Sequence, residues 1–208
     1  MSQKRNPNET RQRILKAAIR EFSAKGFNGA RIENIAKRSK ANTRMIYHYY
    51  GGKEQLYIAS LEEVLDELRV EELKQDVNGV EPLAGLMQLF DFIHGHFATH
   101  PELVSLMSAE NILKAKFLKK SRNIHERASS VLNLITELLV RGESQGVIRA
   151  GLDPLQLYVA MVSLSYFHLS NAYTLSTLFQ EELTSDTWRE AYTQQAREML
   201  IQFLQAEG

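Results

Sequence analysis

The chain of 208 residues is 44% hydrophobic and 24% charged, which is typical of one or two globular domains, and its N-terminal residues contain no apolar secretion segment. Cysteine is absent, which excludes disulfides, thiolate zinc sites and cysteine nucleophiles and favours a reducing cytoplasm. The longest apolar stretch, 155–169, is interrupted by polar residues and is too short to span a bilayer, so we expect no membrane partner.

The formal net charge of zero hides an unequal distribution of charge along the chain. Residues 1–58 contain 13 lysines and arginines but only four acidic residues, a charge of +9, and the remaining residues balance it. A basic N-terminal quarter is typical of a segment that binds a polyanion such as DNA. A solvated charged surface would have the same composition, so charge alone leaves both interpretations open.

The sequence predicts an all-α chain of about nine helices. Glycine and proline are few, and no stretch alternates between apolar and polar residues as a half-buried strand does. All four prolines lie where a helix can begin, since the first turn does not use the missing N–H. In chain order, the predicted helices are 7–25, 31–38, 43–49, 53–75, 82–99, 101–111, 118–145, 154–173 and 184–205.

The second and third predicted helices form a helix-turn-helix pattern, with two turns each and the connection Ser39-Lys40-Ala41-Asn42 between them. The residues expected to face the core of this region are Ile32, Ile35, Ala36, Ile46 and Tyr50. The outer face of the third helix is then formed by Thr43, Arg44, Tyr47 and His48. These side chains can bind bases or phosphates in a major groove, and Asn42 is a suitable N-cap that could present the positive helix end to phosphate.

Several stretches resemble the tetracycline-repressor (TetR/AcrR) family of bacterial regulators. In order along the N-terminal region they are RQRILKAAIREFSAKGF at 11–27, RIENIA at 31–36 and MIYHYYGGKEQLY at 45–57. Residues 108–112 and 141–176 also resemble one branch of the family. The number and lengths of the predicted helices are similar to those of the family over the whole chain.

The resemblance implies a helix-turn-helix DNA-binding domain at 1–52 and a helical effector-binding and dimerisation domain at 53–208. It also implies a homodimer that binds duplex DNA at a palindromic operator and is released by a small organic effector, without a cofactor. Six residues become candidates for reading bases by their position in the motif: Thr43, Arg44, Met45, Tyr47, His48 and Tyr49. Contacts with the DNA backbone fall by position on Arg31 and Lys53.

The sequence departs from the family pattern in three features. Lys40 occupies a position where glycine is common, so it adds a charge near the DNA at the cost of strain if the backbone there needs a positive φ. Ala30 replaces a threonine that caps the second helix, and alanine cannot cap. Gly51-Gly52 replaces a Pro/Ser pair and predicts a softer hinge, through which effector binding could change the spacing of the two DNA-binding domains.

Candidate effector-binding residues lie on the fifth, sixth and eighth predicted helices, where polar side chains occur among apolar ones. They could line a cavity, or they could simply be satisfied by their neighbours. The candidates are Phe90, His94, Met107, Asn111, Tyr166, His168 and Asn171. These residue types favour a modest-sized, partly aromatic or anionic effector. His94, His96 and His100 could indicate a metal, but their positions favour structural or capping roles, and we predict no metal site.

An aromatic stripe on the last predicted helix could pack inside the monomer or against a second copy. The resemblance favours a dimer interface built together with the eighth helix. The residues of this predicted interface are Trp188, Tyr192, Ala196, Met199 and Phe203.

Catalysis is not expected, because the sequence contains no phosphate-binding glycine loop, no nucleophile elbow and no paired-carboxylate motif. We therefore predict a ligand-responsive one-component transcriptional regulator that acts as a repressor and is not an enzyme. The alternative is a helical interaction or structural protein without a DNA function, and salt-dependent binding to duplex DNA distinguishes the two.

Overall fold

The computed structural model describes residues 7–74, 79–121 and 124–206. The regular secondary structure of this part of the chain is helical, apart from one isolated β-bridge between Ile148 and Gln205, and the predicted all-α class is confirmed. Its helices are α1 (Pro7–Gly29), α2 (Ile32–Ser39), α3 (Thr43–Tyr50), α4 (Lys53–Leu73), α5 (Pro82–Thr99), α6 (Pro101–Ile112), α7 (Ile124–Ser144), α8 (Pro154–Ser170), α9 (Ala172–Phe179) and α10 (Asp186–Leu204). Among these described helices, none is both long enough and apolar enough to cross a membrane.

Four helices begin at the prolines that predict their starts. These helices are α1, α5, α6 and α8, which begin at Pro7, Pro82, Pro101 and Pro154. Proline is tolerated there because the first helical N–H groups have no intrahelical partner. Local sequence is therefore sufficient to place these four starts.

Two predicted helices are wrong in their bounds. Within 118–145, residues Leu118–Lys120 form a 3₁₀ turn, and α7 begins only at Ile124. The prediction 154–173 is wrong at its end, since α8 stops at Ser170 and a separate helix, α9, follows. The Asn171 side-chain amide donates to the Phe167 carbonyl at 3.0 Å and to Ser170 Oγ at 2.9 Å, and such bonds compete with regular helix.

The chain divides into two compact units, of which the first covers Met1–Glu67 and Pro101–Ile124. In this unit α1 packs against both α2 and α6. An aromatic cluster joins α1 to the start of α4 and to the turn after α6, with ring centroids 4.3 to 5.2 Å apart, and its members are Phe22, Phe27, Tyr57 and Phe117. Burying aromatic side chains of this size stabilises the unit by about 1.5–3 kcal/mol each.

The second unit covers Leu68–His100 and His125–Gly208, and within it α5 packs against α8 and α10. The C-terminal part of α4 is joined to α8 by a buried polar group. The Glu72 carboxylate accepts hydrogen bonds from Arg69 Nη1 at 2.6 Å and from the Tyr158 hydroxyl at 3.1 Å. Burial raises the pKa of Glu72, and the Arg69 charge opposes this shift. These bonds satisfy a carboxylate that would otherwise be costly to bury.

Candidate DNA-binding surface and effector region

Lys40 ends α2 in the left-handed conformation and begins the connection to α3. Lys40 has φ 52° and ψ 34°, and the N–H of the next residue, Ala41, donates to the Ala36 carbonyl at 3.0 Å. Helices commonly end at a residue in this left-handed conformation, and that residue is usually glycine. The expectation of a strained Lys40 is therefore confirmed, and the strain costs on the order of 1 kcal/mol relative to glycine.

The orientation of α3 is fixed by its cap and by two buried side chains. Asn42 Oδ1 accepts a hydrogen bond from the Met45 N–H at 2.9 Å, which confirms the predicted N-cap. Ile46 is fully buried, and the hydroxyl of the buried Tyr50 donates to the Arg11 carbonyl at 2.9 Å. These contacts hold one face of α3 against α1 and leave the opposite face exposed.

The exposed face of α3 contains the four residues that the helical pattern predicts, Thr43, Arg44, Tyr47 and His48. Tyr47 is 55% exposed although it is a large aromatic residue. Met45 and Tyr49 are half-buried at the edges of this face. The face offers a guanidinium, an imidazole and two hydroxyls, which can bond base edges and phosphates. Base reading by these six residues stays a prediction.

The start of α2 is capped from another helix. Ala30 and Arg31 provide no side-chain cap, as expected for Ala30. Glu21 on α1, only 5% exposed, instead directs Oε1 at the Arg31 N–H at 3.4 Å and at the Asn34 side-chain amide at 2.9 Å. Sequence reasoning missed this role, although Glu21 lies seven residues after Ile14 on the apolar face of α1. The Arg31 side chain itself is exposed and remains a candidate for a phosphate contact.

The Gly51-Gly52 pair connects the end of α3 to the start of α4. Gly51 has φ 81°, and its N–H donates to the Tyr47 carbonyl at 2.8 Å, so it closes α3. The Gly52 carbonyl accepts the Leu56 N–H at 3.0 Å and opens α4. Lys53 follows, with Nζ 3.5 Å from the Asn28 carbonyl and 5.0 Å from the centre of the Phe27 ring. Gly51 thus ends α3 and Gly52 precedes α4. Hinge motion at this pair stays a prediction.

Two of the candidate effector residues form an aromatic group with α10 in the second unit. The rings of His94 and His168 are stacked with centroids 5.3 Å apart, and the His168 ring lies 4.4 Å from that of Tyr192. Tyr192 in turn stacks on Trp188 at 5.2 Å. His94 Nε2 bonds to Thr193 Oγ1 at 2.8 Å. We call these four rings, those of His94, His168, Trp188 and Tyr192, the imidazole–indole cluster.

The pKa of both imidazoles in the cluster is lowered, which favours their neutral forms. Burial lowers the pKa of His168 to about 4, with smaller effects of the same sign from His94 and Arg189 and an opposing one from the Leu164 carbonyl. Burial also lowers the pKa of His94. Within the described residues, His94 Nδ1 and Arg189 Nε are buried polar atoms without a hydrogen-bond partner. Such atoms are uncommon in native proteins and indicate where a ligand or water could bind.

The other candidate effector residues are not all brought together. Phe90 lies next to His94 on α5, with ring centroids 5.6 Å apart, and Tyr166 packs edge-on against Phe97. Asn171 is engaged locally at the end of α8. Met107 is half-buried and Asn111 is exposed, and both lie on α6, which belongs to the first unit. A role of all seven in one site stays a prediction.

The remaining histidines of α5 form a pair. The His96 and His100 rings stack at 3.8 Å, and His100 Nδ1 donates to the His96 carbonyl at 2.8 Å. Burial, followed by the charge of His100, lowers the pKa of His96 to about 4. Among the residues that the structure describes, no group of three His, Cys, Asp or Glu side chains could hold a metal ion.

The aromatic stripe of α10 is divided between two environments. Ala196 is only 1% exposed and packs inside its own chain, so its assignment to a dimer interface is corrected. Trp188 and Tyr192 are half-buried in the imidazole–indole cluster. Met199 and Phe203 are 53% and 43% exposed and are the members of the stripe that remain available to a partner.

Comparison with known proteins identifies relatives over most of the chain. A family profile described as "Bacterial regulatory proteins, tetR family" matches residues 14–60, and one described as "Tetracyclin repressor-like, C-terminal domain" matches residues 82–200. The transcriptional repressor NicS of Pseudomonas putida is 34% identical over 84% of this chain and 82% of its own.

Two further comparisons agree with the first. The transcriptional repressor SCO4008 of Streptomyces coelicolor is 36% identical over 52% of this chain and 53% of its own. A solved TetR family transcription regulator of Marinobacter aquaeolei has the same fold, with a TM-score of 0.70 and 22% identity over 96% of this chain and 97% of its own.

Proposed function

Because this chain belongs to the TetR family of bacterial transcriptional regulators, we propose that it is a repressor whose homodimer binds palindromic operator DNA and is released by a small organic effector. In this proposal residues 1–52 form the DNA-binding domain, and residues 53–208 form the effector-binding and dimerisation domain. The observation that carries the DNA function is the exposed polar face of α3 in a segment with a charge of +9.

The proposed division of labour on the DNA follows from position and chemistry. Arg44 and His48 point away from the core and can donate to guanine or to phosphate, while Thr43 and Tyr47 offer hydroxyls. The half-buried Met45 and Tyr49 would contact the DNA at the edges of the helix. Asn42, Arg31 and Lys53 lie at helix ends, where contacts with phosphate set the register of the protein on the duplex.

A homodimer is supported by apolar residues left exposed on two helices of the second unit. They are Leu155, Val159 and Phe167 on α8 and Met199 and Phe203 on α10. Large exposed apolar side chains on neighbouring elements indicate a protein interface. Two-fold pairing also supplies the two half-site contacts that a single short recognition helix cannot make. Trp188 and Tyr192 would border this interface, with most of their contacts inside the chain.

The proposed effector site is centred on the imidazole–indole cluster. Neutral His94 has a buried Nδ1 without a partner, and the buried Nε of Arg189 can bind an acceptor on a ligand. The stacked rings of Trp188 and Tyr192 favour a planar ligand. This combination supports a modest-sized aromatic or anionic compound, in which an acidic group would bind Arg189.

Selection from a random duplex library tests the DNA function and yields the operator sequence in the same experiment. We expect repeated rounds with the purified full chain to enrich an inverted repeat whose half-site centres lie about 34–36 Å apart, or a multiple of that distance. Enrichment of a single unpaired half-site would contradict the dimer. Absence of any enriched sequence would contradict specific DNA recognition.

A further inference from the structure

A basic cleft lies in the first unit, between one face of α1 and the C-terminal end of α2. Its volume is about 320 Å³. Five of its lining residues are cationic, namely Arg13, Lys16, Arg20, Arg38 and Lys40, and the other two are the small residues Ala17 and Ser39. No acidic residue lines it. The recognition helix α3 contributes none of these residues.

The helical spacing of α1 directs three of the cations to one side. Arg13, Lys16 and Arg20 are three and four residues apart, so they share a face of the helix. Ala17, on the same face, is too small to separate them. Glu21, the acid next to Arg20 in sequence, is buried on a different side of α1, where it binds the start of α2. No acid of α1 lines the cleft.

The cations of the cleft have little to bind within the chain. Arg13 Nη2 donates to Thr10 Oγ1 at 3.3 Å. Within the described ranges, none of the five cationic groups has an ion pair with an acidic side chain. Like charges held close together repel one another, and an anion in the cleft removes that repulsion.

The backbone conformation of Lys40 also points to a function of the cleft. A lysine occupies the left-handed conformation at φ 52°, where glycine is unstrained. The side chain of Lys40 is one of the cations of the cleft, and a glycine at this position would not supply it. Backbone strain that is kept in a native structure is a reason to look for a function there.

We propose that this basic cleft binds phosphates of the DNA backbone, beyond the bases that α3 reads. The inference rests on the proposed DNA function and extends it to residues of α1 and the α2 end. Lys40 is two residues before Asn42, the N-cap of α3, so the cleft adjoins the end of the helix that enters the groove. Long side chains around an open cleft suit successive phosphates of a strand better than one enclosed anion.

Salt-dependent binding to a fluorescein-labelled duplex of random sequence measures these phosphate contacts. The test variant is the full chain with Lys16→Gln, Arg20→Gln and Arg38→Gln. The control is Lys25→Gln with Lys37→Gln, which removes two exposed cations of the same two helices outside the cleft. Circular dichroism and the Tm establish that each variant is folded.

We expect the triple variant to lower the slope of log K against log salt by about 2–3, since each lost phosphate contact changes it by about 0.9. At about 0.1 M salt its affinity should fall at least tenfold more than that of the control. Equal slopes for the triple variant and the control would overturn the proposal while leaving DNA binding by α3 intact. A wild-type chain that binds no duplex would overturn the DNA function as well.

Lys40→Gly separates function from folding. Glycine relieves the left-handed strain, so we expect a higher Tm together with weaker binding to random duplex and a slope lower by about one contact. Unchanged duplex binding by Lys40→Gly would contradict the proposal, because Lys40 would then serve only the turn.

Titration with inorganic tripolyphosphate identifies the source of the phosphate. Calorimetry should detect only weak binding, lost in the triple variant. Micromolar binding that the triple variant loses while keeping the wild-type duplex slope would assign the cleft to a soluble oligophosphate and overturn the DNA assignment.

Discussion

The cap that Glu21 supplies to α2 is the structural feature whose energetic effect is most sharply predictable. Glu21→Ala removes the acceptor of the N–H of Arg31, the N-cap residue of α2, and the acceptor of the Asn34 side-chain amide. Loss of a helix cap costs about 1 kcal/mol, and loss of a nearly buried side chain adds about the same. We therefore expect a total loss of about 2 kcal/mol, which lowers the Tm of a chain of this size by about 4–8 °C.

The assay compares the thermal unfolding of four variants by circular dichroism. Glu21→Gln keeps an acceptor oxygen and should lose about half as much as Glu21→Ala. Glu33→Ala removes an exposed acid from the first turn of α2 and should change stability by no more than about 0.5 kcal/mol. In the Glu21→Ala background, Arg31→Asp supplies a local N-cap and should restore about 1 kcal/mol. Equal Tm values for Glu21→Ala and Glu33→Ala would refute the capping role.

Three further predictions concern α3, the buried histidines and the dimer. Asn42→Ala should destabilise the chain by about 1 kcal/mol in urea unfolding, since the Met45 N–H loses its acceptor, and an unchanged midpoint would contradict the cap. The free energy of unfolding should fall as the pH drops from about 6.5 to 4, because His168 and His96, with pKa lowered to about 4, take up protons only on unfolding. His168→Gln should make the free energy of unfolding depend less steeply on pH in this range, by about 1.4 kcal/mol per pH unit. A pH dependence identical to that of the wild type would exclude a lowered pKa of His168. Met199→Glu with Phe203→Glu should shift the sedimenting mass from twice 23.8 kDa towards 23.8 kDa, whereas Thr187→Glu on the opposite side of α10 should not, and a monomeric wild-type chain would contradict the dimer.

The features that local sequence determines were predictable. The prolines place four helix starts because the first turn has no use for their missing N–H. The inside and outside of α3 follow from helical periodicity, because Ile46 and Tyr50 are four residues apart and their neighbours must face outwards. The Asn42 cap depends only on the next three residues. The strain at Lys40 could be anticipated only because the resemblance marks its position as a glycine position.

The features that depend on packing between helices were not predictable from periodicity. Glu21 looks like any acid of α1 until α2 is placed beside it. The end of α8 at Ser170 depends on the way the Asn171 side chain turns back onto the helix. The aromatic residues of α10 form one stripe in sequence, yet contact with His168 on α8 divides Trp188 and Tyr192 from Met199 and Phe203.

Arg44→Ala tests most directly whether the exposed face of α3 reads DNA sequence. Affinity of the wild-type and variant chains is measured for the duplex enriched by library selection and for random duplex at one salt concentration, with Lys37→Ala as a control for lost charge. We expect Arg44→Ala to cost about 1–3 kcal/mol on the selected duplex and to lower the ratio of selected to random affinity, while Lys37→Ala keeps that ratio. An unchanged ratio for Arg44→Ala would contradict the assignment of α3 as the helix that reads the bases.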